Sequence, residues 1–229
     1  VVAAALGGIL GAKVYYAILM RDWHLLFDRA GLVWYGGLIG GFLACSWVIW
    51  RNKLDYLTAA DPAAPALSIG YALGRIGCFL VGDDYGGPTN AWYGIAFPKG
   101  APPTTAEQLR RFGASVDPSI PDYQVLKVHP TQLYETTAAL VMYAVLLWLN
   151  KRPHRCGMAW GLFLIMLGIE RFLVEIVRAK DDRFLGAFTV AQLISVLMVI
   201  AGTAFCLRAK PALERLRGSE AQRLKGAKA

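Results

Sequence analysis

The chain has 229 residues, of which 56% are hydrophobic and only 17% charged, with a mean hydropathy of +0.41 and a formal net charge of +8. Soluble domains carry about a quarter charged residues, so this composition excludes an ordinary soluble globular domain and points to a polytopic membrane protein. No aromatic-basic pattern of a nucleic-acid module accompanies the positive charge, and Cys45, Cys78, Cys156 and Cys206 form neither a CxxC nor a zinc-spaced cluster.

Six apolar stretches, near 1–20, 31–50, 64–82, 131–149, 157–177 and 185–207, reach or approach the length needed to span a bilayer, roughly 20 residues for a helix. They are continuously apolar rather than alternating, which predicts helices and not barrel strands. The expected fold class is therefore an all-α polytopic membrane protein. The first stretch opens on Val1 with no basic region ahead of it, so it does not read as a signal peptide. A longer protein with a seventh, upstream helix is expected. The second stretch holds Tyr35-Gly36-Gly37-Leu38-Ile39-Gly40-Gly41, whose glycine pairs recur at i and i+4. That spacing makes a flat helical face for close packing against a helix or a lipid tail. Cys45 and Cys206, in apolar runs, read as packing residues.

The third stretch ends on the most informative residue. Arg75 lies in Gly74-Arg75-Ile76-Gly77-Cys78-Phe79-Leu80-Val81-Gly82-Asp83-Asp84-Tyr85-Gly86, and residues 63–73 before it carry no charge. A guanidinium at such a place persists when an anion meets it, and the flanking glycines give that anion room. Residues 83–130 hold seven prolines, among them Pro88, Pro102 and Pro130. Connections this long are functional or disordered, and Trp92, Tyr93, Ile95 and Phe97 suggest packing near the membrane interface. We expect a small external cap domain at 83–130 interrupting a membrane domain of residues 1–207, with a basic tail at 208–229.

The stretch from 131 is introduced by His129-Pro130-Thr131-Gln132-Leu133-Tyr134-Glu135. Pro130 suits a first helical turn, and Thr131, Gln132 and Glu135 could tie up free amides there, which accounts for one or two of these polar side chains but not for all. The next stretch contains Glu170-Arg171-Phe172-Leu173-Val174-Glu175-Ile176-Val177-Arg178. Arg171, Glu175 and Arg178 are spaced i, i+4, i+7 and share one face. They form either a salt-bridge stripe between helices or an anion site with a carboxylate to orient the arginine. Arg178 lies near enough to the end to reach headgroups. Lys13 is a further intramembrane cation, with Glu170 or Glu175 as a candidate partner.

Orientation follows from the Lys and Arg of the connections. The segments 51–63 and 150–156 and the tail from 208 carry twelve basic and four acidic residues, a net of +8. The segments 21–30, 83–130 and 178–184 carry nine of each and are neutral. The first set is expected to be cytoplasmic, together with the C-terminus. The positive charge is thus a topology signal, and no nucleic-acid partner is expected.

Two arginines at similar depth on different helices, with carboxylates beside them, suit recognition of one phosphate, because a planar guanidinium binds two oxygens at once. No P-loop, no Ser-His-Asp order, no metal helix and no ligand set for a redox cofactor is visible. Neither a metal nor a cofactor is expected.

Taken together, the runs 35–41, 74–86, 129–135 and 170–175 resemble, in order and across most of the chain, the bacterial prolipoprotein diacylglyceryl transferase family. The resemblance implies a seven-helix inner-membrane enzyme with a periplasmic head and active site. Such an enzyme moves the diacylglyceryl group of phosphatidylglycerol to the lipobox cysteine of a prolipoprotein signal peptide, with release of glycerol phosphate. It implies catalytic roles for Arg75, Arg171, Glu175 and His129. It implies substrate binding by Tyr35, Gly37, Arg75, Cys78, Asp83, Gly86, Gln132, Tyr134, Glu135, Arg171 and Arg178. A monomer is expected.

The chain departs from the family pattern in places. Gly77-Cys78-Phe79 stands where Gly-Asn-Phe is usual, Val81-Gly82-Asp83 where Asn-Gly-Glu is usual, Tyr35 where some members have histidine, and Lys13 where an early-helix arginine occurs. Cys78 cannot make the hydrogen bonds of an amide. The substrate thiol must lose its proton to become a nucleophile, and His129, Glu175 and Tyr35 are equal candidates for the base. The rival expectations are a non-catalytic phospholipid-binding paralogue and a small membrane transporter.

Overall fold

Apolar runs become helices because a backbone deprived of water must satisfy its own hydrogen bonds. The computed structural model describes residues 2–28, 31, 33–178, 183–185 and 188–208; the side chains at 34, 35, 183–185 and 188, including that of Tyr35, lie outside this set, as do Arg29, Lys180 and the tail from 209. Six long helices fall on the six apolar stretches: α1 (Val2–Met20), α2 (Trp34–Arg51), α4 (Ala63–Val81), α6 (Thr131–Asn150), α7 (Met158–Ile176) and α8 (Val190–Arg208). Shorter pieces are a 3₁₀ turn at Trp23–Leu26, α3 (Tyr56–Ala60) and α5 (Ala106–Arg111). A hairpin of β1 (Arg183–Leu185) and β2 (Phe188–Thr189) leads into α8 and departs slightly from an all-helical build.

Among the described residues, four segments are long and apolar enough to cross a membrane: Val2–Met20, Tyr56–Val81, Thr131–Asn150 and Val190–Arg208. Helix α7 has 19 residues and is as apolar as its neighbours, but it carries three charged side chains, Glu170, Arg171 and Glu175. Leu6, Ile9, Leu80, Leu197 and Ile200 are among many large apolar side chains left exposed on these helices, the pattern of a surface solvated by lipid rather than water.

Residues 1–59 and 60–229 form two compact units. In the first, α1 packs along α2. The glycine face expected on α2 meets glycines on α1: a Cβ added at Gly11 or Gly40 would overlap the facing backbone of Gly36 or Gly7. Gly37 is less tightly placed, with ordinary contact distances of 3.4 and 3.6 Å to Gly8 O and Ala12 Cβ. Lys13 Nζ donates to the Asp28 carbonyl. Cys45 is half-buried.

In the second unit α4 packs on α6 and α7, and α7 on α8. One end of the bundle is closed by Ala64, Leu146, Leu149, Ala159 and Phe163, and the middle by Ala72, Ala139 and Met142. Asp61, 1% exposed, ties the first of these clusters to the start of α7: its carboxylate accepts from Gly157 N at 2.8 Å and Trp160 N at 3.0 Å. Gly157 itself has φ +88°, a conformation that suits glycine. The segment 83–130 has a core of its own, in which Tyr85, Leu109 and Val128 are buried against Phe97, Phe112 and Leu126. The Tyr85 ring stacks on Phe97, its hydroxyl donates to Pro103 O at 3.2 Å, and burial pushes that hydroxyl up to about 12. Cys78, Cys156 and Cys206 carry no disulfide.

Candidate functional site

Helix α4 ends where Gly82, at φ +72°, caps it and donates to Cys78 O. Two residues on, Asp84 has φ +51°. A non-glycine residue in the left-handed region is uncommon, although Asp tolerates it better than most. This bend turns the Asp84 carboxylate back over the last turns of α4. Its Oδ2 pairs with Arg75 Nη1 at 3.0 Å. The other edge of Arg75 pairs with Glu135 on α6, Nε to Oε2 at 2.9 Å, and the guanidinium carbon lies 5.4 Å from the Tyr71 ring centre. Arg75 and Glu135 are 17% and 3% exposed. Removing one member of so buried a pair strands the other's charge.

Helix α7 brings the remaining arginines. Arg171 Nη2 lies 2.6 Å from Glu175 Oε2, Arg178 Nη1 lies 3.6 Å from the same oxygen, and Arg178 Nη2 reaches Asp84 Oδ1 at 3.2 Å. The result is an unbroken series of ion pairs, Arg75–Asp84–Arg178–Glu175–Arg171, linking α4, the turn after it and α7. Arg171 has a guanidinium arm to spare. Its Nη1 is buried and has no hydrogen-bond partner among the described residues. A buried unmade donor costs about 1–3 kcal/mol, and a ligand oxygen would recover it.

The polar residues expected to cap α6 do other work. The residue preceding the helix is Pro130, and no side chain caps it. Instead Thr131 Oγ1 donates to Asp84 O at 2.8 Å and Gln132 Nε2 to Asp83 O. Both hold the turn that aims Asp84. Gly86 lies against the same corner: an added Cβ would fall 2.6 Å from Val177 O and 2.8 Å from His129 Cβ. His129 is half-buried, with Nδ1 3.2 Å from the Tyr134 hydroxyl and its ring 6.1 Å from that of Tyr93. Beside the series of ion pairs a cleft opens between Asp84, Arg178, Tyr85, Pro102 and Phe112. Positions 70, 74 and 77, spaced along α4 as glycines, have open space where a Cβ would stand.

The second unit thus gathers Arg75, Glu135, Arg171, Glu175 and Arg178 into one network. Gln132, Gly86 and the backbone of Asp83 support it. Cys78 Sγ lies 3.9 Å from Arg75 Nη1, and Asp83 Oδ1 is buried without a hydrogen-bond partner among the described residues. Gly37 belongs to the other unit. Sequence reasoning singled out Asp83, passed over Asp84 and Tyr71, and gave Glu170 only as a candidate partner for Lys13; for Asp84 the pair of adjacent aspartates was the one available signal. The ligand atoms of Cys78, Asp83 and Asp84 lie within 4.8 Å of one another. Both Asp84 oxygens already face guanidiniums, so positive charge stands where a metal would bind.

A family model described as prolipoprotein diacylglyceryl transferase matches residues 1–208. The chain belongs to the prolipoprotein diacylglyceryl transferase family. A phosphatidylglycerol–prolipoprotein diacylglyceryl transferase of Shewanella oneidensis is 32% identical over 215 residues, covering 89% of this chain and 72% of the relative. One from Stenotrophomonas maltophilia is 33% identical over 205 residues, covering 86% and 69%. A protein of Clostridium perfringens named as a second such transferase is 30% identical over 208 residues, covering 88% and 74%. The runs that carry the resemblance in the sequence supply Arg75, Glu135, Arg171 and Glu175 of the network, and the family's membrane setting agrees with the long apolar helices.

Proposed function

We propose that the chain transfers the diacylglyceryl group of phosphatidylglycerol to the lipobox cysteine thiol of a prolipoprotein. The observation that carries this reading is the spare arm of Arg171, a buried Nη1 without a partner, at one end of a series of ion pairs whose other end is Arg75. Phosphate is the ligand that suits it. Arg75 and Arg171 hold the phosphate oxygens, with Arg178 at the rim, and stabilise the charge that grows as phosphate departs. The thiolate sulfur attacks the glycerol carbon that bears the phosphate. A C–S bond forms, the C–O bond breaks, and its electron pair leaves with glycerol phosphate. The thiol proton goes to a base at the mouth of the site. His129 and Glu175 are the candidates within the second unit, with Tyr35 a third. The open glycine positions 70, 74 and 77 give the lipid room beside Arg75. Gly37, Cys78, Asp83, Gly86, Gln132, Tyr134 and Glu135 complete the substrate site.

In this reading six helices cross the inner membrane. The membrane domain is 1–207, the head formed by 83–130 lies on the periplasmic side with the active site, and the basic tail 208–229 is cytoplasmic. The protein acts as a monomer. The test is transfer of labelled diacylglyceryl from phosphatidylglycerol in mixed micelles to a lipobox peptide. Arg75→Ala is expected to lower the rate by about 100-fold or more, the effect of removing one preorganised donor from a developing oxyanion. Full rate in that variant would remove the phosphate assignment.

A further inference from the structure

Arg75 is gripped on its edges by Asp84 and Glu135, yet two carboxylates alone leave its plane free to tilt. The face of the guanidinium lies over Tyr71, one helical turn earlier on α4, at 5.4 Å from the ring centre. Tyr71 is not free to turn either. Its hydroxyl lies 3.4 Å from both carboxylate oxygens of Glu170 on α7. Glu170 is 7% exposed, and its hydrogen-bond partner among the described residues is that hydroxyl. A carboxylate at this depth is expensive, and the proposed chemistry leaves it without a task.

We propose that Tyr71 and Glu170 form a positioning pair that sets the plane of Arg75. The ring is the platform on which the guanidinium lies, and Glu170 anchors the platform to the helix that carries Arg171. Coupling runs from α7 through Glu170 and Tyr71 to Arg75, so the two arginines keep a fixed relation even before lipid arrives. The proposal rests on the reading of Arg75 as a phosphate ligand. Neither Tyr71 nor Glu170 touches the reacting atoms; both act through Arg75. Arginine gains from such a platform because its plane can stack on a ring, while a lysine ammonium has no plane to orient.

The experiment measures kcat and KM for phosphatidylglycerol with the full-length protein, together with its thermal midpoint in detergent. Tyr71→Leu removes the platform and is expected to lower kcat about 10-fold, from loss of a desolvated cation–π contact. Tyr71→Phe and Glu170→Leu each break the same anchor and are expected to lower kcat about 5-fold, the scale of one hydrogen bond. Their double variant should be no slower than either alone, and Glu170→Gln, which still offers the phenol an acceptor, should recover the rate to within about 2-fold. In an Arg75→Lys background Tyr71→Leu should change kcat by less than about 2-fold. Three results overturn the proposal: wild-type kcat in Tyr71→Leu, additive losses in the double variant, or an undiminished Tyr71→Leu effect beside Lys at position 75. If Arg75→Ala transfers lipid at full rate, the phosphate reading fails and takes this proposal with it.

Discussion

Arg171→Lys separates binding chemistry from architecture. Lysine keeps the positive charge and can still meet Glu175, which Arg171 approaches at 2.6 Å. It has no second arm, so the buried Nη1 that stands without a partner is deleted. If that arm binds a phosphate oxygen, the variant loses one charge-assisted hydrogen bond, about 1.5–3 kcal/mol. At 1.36 kcal/mol per decade this corresponds to a rate about 10- to 150-fold lower. Stability should move the other way or not at all, because the folded protein no longer buries an unmade donor whose cost is about 1–3 kcal/mol. The assay is kcat/KM for diacylglyceryl transfer in mixed micelles, paired with the thermal midpoint of the same preparation in detergent. A slower enzyme with an unchanged or raised midpoint is the expected outcome. Full activity in Arg171→Lys would refute the reasoning, since no ligand would then be using the spare arm. Arg171→Ala is a poorer probe, because it leaves Glu175, 2% exposed, with Arg178 at 3.6 Å as its remaining cation.

Gly86→Ala places a Cβ 2.6 Å from Val177 O and 2.8 Å from His129 Cβ; we expect a loss of about 1–3 kcal/mol from overpacking, read as a lower thermal midpoint, and at least about a 10-fold slower transfer as the Asp84 turn shifts. Asp61→Ala removes acceptors for Gly157 N and Trp160 N at the far end of the bundle; chemical denaturation should report a loss of about 1–2 kcal/mol, with the rate per folded molecule unchanged. Tyr85 holds its proton more tightly in the fold than in the unfolded chain, up to about 12 against an ordinary value of 10. The stability it lends is therefore fully present below pH 10 and falls away as pH rises toward 12, so Tyr85→Phe should show a shallower alkaline decline of the midpoint over that window.

The helices were legible because a long apolar run is a one-dimensional signal; each long helix coincides with an apolar stretch to within a few residues. The face shared by Arg171, Glu175 and Arg178 was legible too, since helical spacing alone brings them to one side, and both ion pairs to Glu175 are present. What sequence could not supply was long-range aim. Thr131 and Gln132 look like capping residues when only their neighbours are considered, yet their partners lie 47 and 49 residues away. The choice between Asp83 and Asp84 depends on one backbone angle, φ +51° at Asp84, that the residue names do not encode. Tyr71 reads as one more large residue in a charge-free run, and Glu170 as a neighbour of Arg171, until α4 and α7 are seen side by side. Tyr35 and Gly37 lie in the first unit.

The turn at 82–86 is held by neutral donors, a hydroxyl and an amide, while the ligand side of the same corner is all formal charge. Ionic strength acts on these two halves differently. Salt screens half-exposed charges such as Asp84 and Arg178 and leaves uncharged hydrogen bonds almost untouched. The corner therefore separates durability from electrostatics: a swing in ionic strength loosens or tightens the ion pairs of Asp84 without reshaping the turn that carries them.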